Sequence, residues 1–373
     1  MNGYWNERVK CISPYVPGEQ PRDRQFIKLN TNENPYPPSP KVIEAIKNAA
    51  DDRLRLYPDP ECTEFREAVA ARYGVKTQQV FAGNGSDEIL AFAFGAFFES
   101  GQKGEARGDN ALPVLFPDIT YSFYPVYAEL WDIPYQTVPL CEDFSINTAE
   151  YKTDCGGAVF PNPNAPTGMA LALDEILSLA EFLEKRKKVF IVDEAYIAFS
   201  ADKSGAPGSL SVVSHINEYP NLLTVHTLSK SASLAGLRAG YAIGSEELLE
   251  GLRRMRDSFN SYTLDRLALA GAAAAVKDTQ YYNEINRRVI AVREKTAKAL
   301  NSMGFHVLPS QANFLFIKPP DVSAVELFAA LREKGILVRH FKKNRIADFL
   351  RVSVGTDEDM DTFIKSCGEI TGR

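Results

Sequence analysis

The chain predicts an α/β fold: a large domain whose mostly parallel sheet is covered by helices on both faces, followed by a smaller α+β C-terminal domain. Three observations carry that expectation. Short apolar, β-branched runs alternate with segments of helical spacing through the first two-thirds of the chain, the rhythm of parallel strands joined by crossover helices. After about residue 255 this gives way to two long helices and then to short strands mixed with helices. A length of 373 residues suits two domains of roughly 100–200 residues each. The division expected is an N-terminal arm over 1–28 that joins the small domain, a large domain over 29–255 and a small domain over 256–373.

The elements follow in order. Residues 41–50 come after Pro40 and place Val42, Ile46 and Ala49 on one helical face. A helix over 63–73 stops at Gly74, a residue that tolerates the left-handed helix end. A strand over 80–82 leads through Gly83-Asn-Gly-Ser-Asp-Glu88 into the apolar helix 89–98, and short strands over 114–116 and 158–160 end at Pro117 and Pro161. Helix 173–185 carries Asp174 and Glu175 in its first turn, where the helix dipole favours acids. The run 189–192 ends at Asp193, and strands over 222–227 and 239–243 follow. The second part predicts helices over 264–277, 281–302, 324–334 and 358–369, with strands near 305–308, 314–317, 337–339 and 350–354. Segments 99–110 and 202–208 read as surface loops from their Gly and Pro content.

Composition excludes several classes. There are 42 Lys plus Arg against 48 Asp plus Glu, a net charge of −6, so neither nucleic acid nor an anionic membrane is an expected partner. No apolar run reaches the ~20 residues of a membrane span, and the first residues lack the basic-then-apolar pattern of a secretory signal. Five scattered cysteines (Cys11, Cys62, Cys141, Cys155 and Cys367) argue for a reducing, cytoplasmic setting and against a disulfide framework. With no Cys-x-x-Cys and no His-x-x-x-His, no metal site is expected.

Five features fall at strand ends, where open parallel sheets place their ligands. Thr227-Leu-Ser-Lys230, followed by Arg238, puts two hydroxyls and a guanidinium beside an amine, a set suited to a phosphate and to a Schiff base with an aldehyde. Alone, the lysine reads as an exposed loop residue. Asp193-Glu-Ala-Tyr196 ends a buried strand, and a buried carboxylate needs a partner such as a protonated ring nitrogen, or else caps a helix. Gly83-Asn-Gly-Ser86-Asp87 opens a helix and forms an anion site through backbone N–H groups, or simply a glycine turn capped by Ser86. An acid beside a phosphate requires Asp87 to offer its N–H, with its carboxylate turned away or bonded elsewhere. Pro161-Asn-Pro-Asn-Ala-Pro-Thr-Gly168 is a rigid turn able to hold an Asn amide against a ligand. Tyr121 in Thr120-Tyr-Ser-Phe-Tyr124 is placed to stack on a flat ring, or to pack in the core.

In this order the five features resemble the fold type I pyridoxal-phosphate enzymes, the class I/II aminotransferases, over nearly the whole chain. Ser13-Pro-Tyr15-Val-Pro-Gly18, Leu29-Asn-Thr-Asn-Glu-Asn-Pro35, Tyr57-Pro-Asp-Pro-Glu-Cys62 and Val338-Arg339-His-Phe341 are similar to the branch acting on histidinol phosphate. The resemblance implies pyridoxal 5'-phosphate as cofactor, held by Lys230, which later moves the substrate proton. Asp193 pairs with the pyridine nitrogen, Tyr196 bonds the phenolic oxygen and Tyr121 stacks on the ring. Ser86, the Asp87 backbone, Thr227, Ser229 and Arg238 take the phosphate. Tyr57 reaches that phosphate from the neighbouring subunit, which implies a homodimer with composite sites. Tyr15, Arg339 and Arg351 face the substrate's anionic end. The family normally has Asn immediately before Pro-Thr-Gly. Here Ala165 stands there, and Asn164 is the nearest replacement. Asp118-Ile-Thr-Tyr121 also departs from the frequent Pro-Thr-Tyr.

The implied reaction is transamination between histidinol phosphate and 2-oxoglutarate in histidine biosynthesis. Two arginines match a phosphate dianion by forked hydrogen bonding. Structural ion pairs with Asp348 or Asp357 are the plainer use of those arginines. An aromatic or other amino-acid aminotransferase, or a phosphothreonine decarboxylase, would share the cofactor residues.

Overall fold

The computed structural model describes residues 3–15, 18–21, 24–101, 111–201 and 207–373. Most of the two expected surface loops, over 102–110 and 202–206, lies outside them.

A seven-stranded sheet forms the large layer. In spatial order its strands are Val80–Gly83, Gly240–Ile243, Leu222–Thr227, Val189–Asp193, Gly157–Pro161, Val114–Pro117 and Tyr135–Val138. Only Gly240–Ile243 runs antiparallel to its neighbours. The central strands read as continuous apolar runs because both faces are covered. Alternation divides each between two cores: Phe190 and Val192 pack with helix Leu173–Glu184, while Ile191 packs with helices Gly85–Phe97 and Glu246–Asp257. Near the sheet's other end, helices Pro40–Ala49, Thr63–Tyr73 and Arg266–Lys277 cover Val80, Ala82 and Tyr241. The last of these helices, assigned by the sequence reading to the small domain, therefore packs on the large sheet.

A four-stranded antiparallel sheet builds the second layer, in the order Arg339–His340, Leu350–Ser353, Phe314–Lys318 and His306–Val307. Helices Thr279–Ser302, Ala324–Glu333 and Asp357–Thr371 accompany it. The last two open on capping boxes, Ser323 with Glu326 and Thr356 with Asp359. The arm adds a separate two-stranded pairing, Ile27–Lys28 parallel to Ile336–Leu337. Among the described residues, no helix is long and apolar enough to cross a membrane.

Several elements differ from the expectation. The single strand read over 337–339 is two: Ile336–Leu337 pairs with the arm and Arg339–His340 with Leu350–Ser353, the chain changing partners at Val338. Apolar pattern does not report such a hand-over. Strand Tyr135–Val138 has no sequence counterpart because it is an edge strand, exposed at Tyr135, Gln136 and Thr137. Helix Phe123–Trp131 is concealed by Pro125, which its first turn tolerates because no intrahelical N–H bond is lost there. Helix Glu246–Asp257 had a legible start: Ser245 caps it, Glu246 and Glu247 follow, and Leu248, Leu249 and Leu252 are buried.

The two layers share a core where the ligand site forms. Ala165, Tyr196 and Phe199 belong to the same apolar cluster as Phe314, Leu350 and Val352. Arg293, 3% exposed, crosses this junction and donates Nη1–H bonds to the carbonyls of Phe199 (3.0 Å) and Ala312 (2.8 Å). Replacing it by Met keeps most of the apolar stem but orphans both buried carbonyls. Arg293→Met is therefore expected to cost about 2–4 kcal/mol of stability, read as a shift in the denaturation midpoint with unchanged slope. A loss under about 0.5 kcal/mol would contradict the bridging role.

Candidate active site

The carboxyl ends of the central strands open onto a cleft of about 600 Å³. Tyr15, Ser86, Asp87, Tyr121, Asp193, Tyr196, Thr227, Ser229, Lys230, Arg238, Arg339 and Arg351 all line it. Tyr57, expected to serve a neighbouring subunit's site, is 79% exposed and stacks on Tyr262 (ring centroids 4.5 Å apart) outside its own cleft. Of the residues expected in the chain's own cleft, one does not line it. Asn164 is turned away, its Nδ2 donating to Ile119 O (3.0 Å) and Thr167 Oγ1 (3.1 Å), and the cleft wall at this turn is Ala165. The fold of the turn thus uses the Asn164 amide, which does not replace the one missing at 165.

Asp193 ends its strand inside the protein, 4% exposed. Its carboxylate accepts from the Tyr124 hydroxyl (3.1 Å) and the Ala195 N–H (3.1 Å), neither of them charged. Burial outweighs these bonds and pushes its pKa up to about 6. Lys230 follows Thr227 in the short helix Leu228–Ser231, and its Nζ donates to Thr31 O (3.2 Å). Burial, then the nearby positive charge of Arg351, pushes its pKa down to about 8.

The helix Gly85–Phe97 begins beside these groups with no side-chain cap at Asn84, so its first N–H groups face the cleft end unsatisfied by the helix. Two glycines allow the approach. A Cβ on Gly85 (φ 76°) would meet Arg238 Nη2 at 2.7 Å, and one on Gly240 would meet the Ser86 nitrogen at 2.8 Å. Opposite the helix, Thr227 Oγ1 donates to Ser229 Oγ (2.9 Å), and Arg238 Nη1 donates to Ser229 Oγ (3.4 Å). The Asp87 carboxylate is bonded within the site: it accepts from the Tyr121 hydroxyl (2.6 Å) and pairs with Arg238 Nη2 (3.0 Å).

At the other end, Arg351 donates from Nη2 to Asn30 O (3.0 Å), while its buried Nε has no partner. Its guanidinium lies over the rings of Phe314 (5.5 Å) and Phe341 (5.6 Å), and that of Arg339 also lies over Phe341 (5.8 Å). Among the described residues neither arginine has a carboxylate in ion-pair range. Asp348 pairs with Lys318 (2.9 Å) and Asp357 with Lys295 (3.3 Å), which removes the structural ion pairs as an explanation. Tyr15 lines the same end and stacks on Phe123, centroids 4.3 Å apart.

One cleft thus gathers an amine, a buried carboxylate without a cation, a helix-start cradle and two guanidinia without carboxylate partners. The family model for aminotransferases of class I and II matches residues 24–366. The chain belongs to that family. A histidinol-phosphate aminotransferase of Clostridium acetobutylicum is 51% identical over 370 residues, covering 98% of this chain and 99% of that protein. Histidinol-phosphate aminotransferase 1 of Bordetella parapertussis is 51% identical, with 99% of each covered. Among solved structures, the histidinol-phosphate aminotransferase of Sinorhizobium meliloti in complex with pyridoxal-5'-phosphate superposes with a TM-score of 0.84 at 21% identity, covering 100% of this chain and 98% of that one. That likeness bears on the fold. This aminotransferase is a pyridoxal-phosphate enzyme, and its cleft fits the cofactor: Lys230 for the aldehyde, Asp193 for a ring cation, and the Gly85 helix start with Arg238 for the phosphate.

Sequence reasoning assigned no role to Tyr124, Asn30, Thr31 or Asn32, which orient Asp193, Arg351, Lys230 and Tyr196 respectively. The three 30s residues sit in a motif used only for resemblance. Their density of polar side chains after the apolar Leu29 was the available signal.

Without cofactor, the Lys230 ammonium is a burden on the fold. Its folded pKa of about 8 lies below the ordinary 10.5, so at pH 7 the unfolded chain binds its proton more tightly. Lys230→Met is thus expected to stabilise the cofactor-free protein by about 2–4 kcal/mol at pH 7. The gain should shrink as pH rises from 8 towards 10.5 and both states lose the proton. Thermal denaturation of both proteins across that range is the check, and a gain independent of pH would rule the explanation out.

Proposed function

We propose that this aminotransferase takes the amino group of histidinol phosphate and passes it to 2-oxoglutarate, giving imidazole-acetol phosphate and glutamate in histidine biosynthesis. The observation that carries the reading is the pair Arg339 and Arg351, unpaired by any carboxylate among the described residues and facing the cleft that holds Lys230. Two guanidinia without counter-ions suit a phosphate dianion better than a single carboxylate. The same pair then takes a carboxylate of 2-oxoglutarate. A second cavity of about 590 Å³ shares Tyr15, Tyr121, Ala165, Arg339 and Arg351 with the cleft and continues between Phe116, Tyr135 and Phe341. Its aromatic walls suit the substrate's imidazole.

Bound pyridoxal phosphate supplies an electron sink that weakens the substrate's Cα–H bond. Asp193 then gains the cation it lacks: a protonated ring nitrogen beside it favours the ionised carboxylate and draws its pKa back down. Lys230, with a pKa near 8 from burial, has an appreciable neutral fraction at physiological pH. In the loaded enzyme its Nζ would serve as the base that takes the proton from the substrate's α-carbon. Tyr196 meets the phenolic oxygen, and Tyr121, held by Asp87, flanks the ring. Ser86, the Asp87 N–H, Thr227, Ser229 and Arg238 hold the phosphate.

Tyr57 fits a role in a neighbouring subunit. It lies outside its own cleft, on a surface that also exposes Leu54, Leu56, Phe259 and Tyr262. A homodimer with composite sites covers that surface. A cytoplasmic location accords with five free cysteines.

The test is a single half-reaction with the cofactor-loaded protein and no keto acid. Histidinol phosphate is expected to bleach the visible absorbance faster than phenylalanine, glutamate or phosphothreonine, with a keto product and no carbon dioxide. Arg339→Gln should lower kcat/KM for histidinol phosphate about ten- to a hundredfold, the worth of a charge-assisted bond of ~1.5–3 kcal/mol, and less for phenylalanine. Equal small losses for both would point to a general amino-acid aminotransferase. Carbon dioxide release from phosphothreonine would point to the decarboxylase.

The composite site has its own check. Lys230→Ala and Tyr57→Phe subunits, each inactive or strongly impaired alone, are mixed and allowed to exchange. Heterodimers should recover one site with both native residues and about half the activity expected per dimer. No recovery after verified exchange would refute the placement of Tyr57.

A further inference from the structure

Every polar group of Asn32 is engaged, in a buried residue whose backbone is left-handed (φ 55°). Its N–H donates to Ser353 Oγ (2.8 Å), and its carbonyl accepts from Asn313 Nδ2 (3.0 Å). Its Oδ1 accepts from Ser353 Oγ (3.0 Å), and its Nδ2 donates to the Tyr196 hydroxyl (3.0 Å).

Proton accounting sets the direction of this chain. Ser353 Oγ accepts from the Asn32 N–H and donates its single proton to Oδ1. The amide is thereby oriented, with Nδ2 towards Tyr196, whose oxygen accepts. The Tyr196 proton then has no partner among the described residues and is left for a group in the cleft that Tyr196 lines. A phenol that accepts one hydrogen bond is a stronger donor of the next. Meanwhile the turn that usually sends an amide to the cofactor sends none: Ala165 forms the wall, and the Asn164 Nδ2 is spent on Ile119 and Thr167.

We propose that Asn32 is a positioning residue that makes Tyr196 a one-way donor to the cofactor's phenolic oxygen, taking over the polarisation lost with the amide at position 165. This rests on the reading above that Tyr196 meets that oxygen. The arrangement also joins two functions. Ser353 lies two residues beyond Arg351 on the strand Leu350–Ser353, so the strand that carries a substrate guanidinium also orients the amide behind Tyr196.

The experiment follows the visible absorbance of the loaded enzyme against pH, without substrate. A donor to the phenolic oxygen favours its anionic form, so the bound cofactor loses its proton at lower pH when the donor is present. Asn32→Gly keeps the left-handed backbone and removes the amide. It is expected to move the titration up by about one pH unit, a tenfold change in proton affinity. Asn32→Asp keeps the shape but replaces the donor with an acceptor that draws the Tyr196 proton away, and should move it at least as far. Ser353→Ala leaves Asn32 in place but frees its amide to turn, and should give a smaller shift in the same direction. Adding Ala165→Asn to Asn32→Gly should return the titration most of the way to that of the parent enzyme. A merely structural Asn32 would lower the melting temperature of these variants and leave the titration where it was. Unmoved titrations in folded, loaded Asn32→Gly and Asn32→Asp overturn the inference alone. A parent protein with no visible absorbance dependent on Lys230 overturns the cofactor reading and the inference with it.

Discussion

Asp193 is a carboxylate held inside a protein with no cation beside it, and much of the site is arranged around that fact. Removing a carboxylate from water is costly unless a charge or several donors compensate. Tyr124 and the Ala195 N–H compensate only in part, which is why its pKa stays near 6. The next residue shows what a fully internal solution looks like. Glu194 points to the other face, where Ser211 Oγ (2.6 Å) and the Val212 N–H (2.8 Å) donate to it. Burial holds it protonated, with a pKa near 8, beside a His226 held neutral. Strand alternation therefore sends one carboxyl group to the core, where it is neutral and bonded, and its neighbour to the cleft, where its partner is left to a ligand. A sheet buried on both faces supplies the stability that supports such a residue.

The cleft is assembled from pieces far apart in the chain, and the 29–34 segment is what binds them. Leu29 O accepts from the Ser353 N–H (2.9 Å), fixing the segment along the small-domain strand. From there Asn30 meets Arg351, Thr31 meets Lys230, Asn32 meets Tyr196, and Asn34 Nδ2 donates to Lys230 O (3.1 Å). Substrate anion site, lysine and phenol thus share one stretch of backbone. A shift of the small domain is transmitted to all three through these hydrogen bonds, which tie one stretch of backbone to each group.

Legibility in the sequence followed the range of the interactions. Lys230, Asp193 and the Gly85 turn were readable because each ends or follows a short apolar strand that closes on Gly, acidic or hydroxyl residues, so neighbours in sequence report where the strand stops; Arg238 was readable by its spacing after Lys230. Arg339 and Arg351 were readable as a pair only through resemblance, because their meeting depends on the antiparallel register that sets one opposite the other. Asn32 was not readable as a functional residue at all. Its partners are 164 and 321 residues away, and nothing local distinguishes it from the asparagines on either side. Asn164 failed for the opposite reason: it is adjacent to the right position, but a residue's neighbour in a tight turn faces elsewhere.

The acid in the phosphate cradle follows from the same accounting. Asp87 takes up the positive charge of Arg238 and holds the phenol of Tyr121, so the cradle carries little net charge of its own. What remains to attract a phosphate are directional donors: the first N–H groups of the helix Gly85–Phe97, the Arg238 N–H groups not turned to Asp87, and the hydroxyls of Ser86, Thr227 and Ser229. Charge alone would welcome any anion at a range set by screening, whereas donors at fixed angles reward one shape. Asp87 converts an electrostatic site into a geometric one. Because the same carboxylate anchors Tyr121, the plane offered to the ring and the cradle offered to the phosphate are set as one unit.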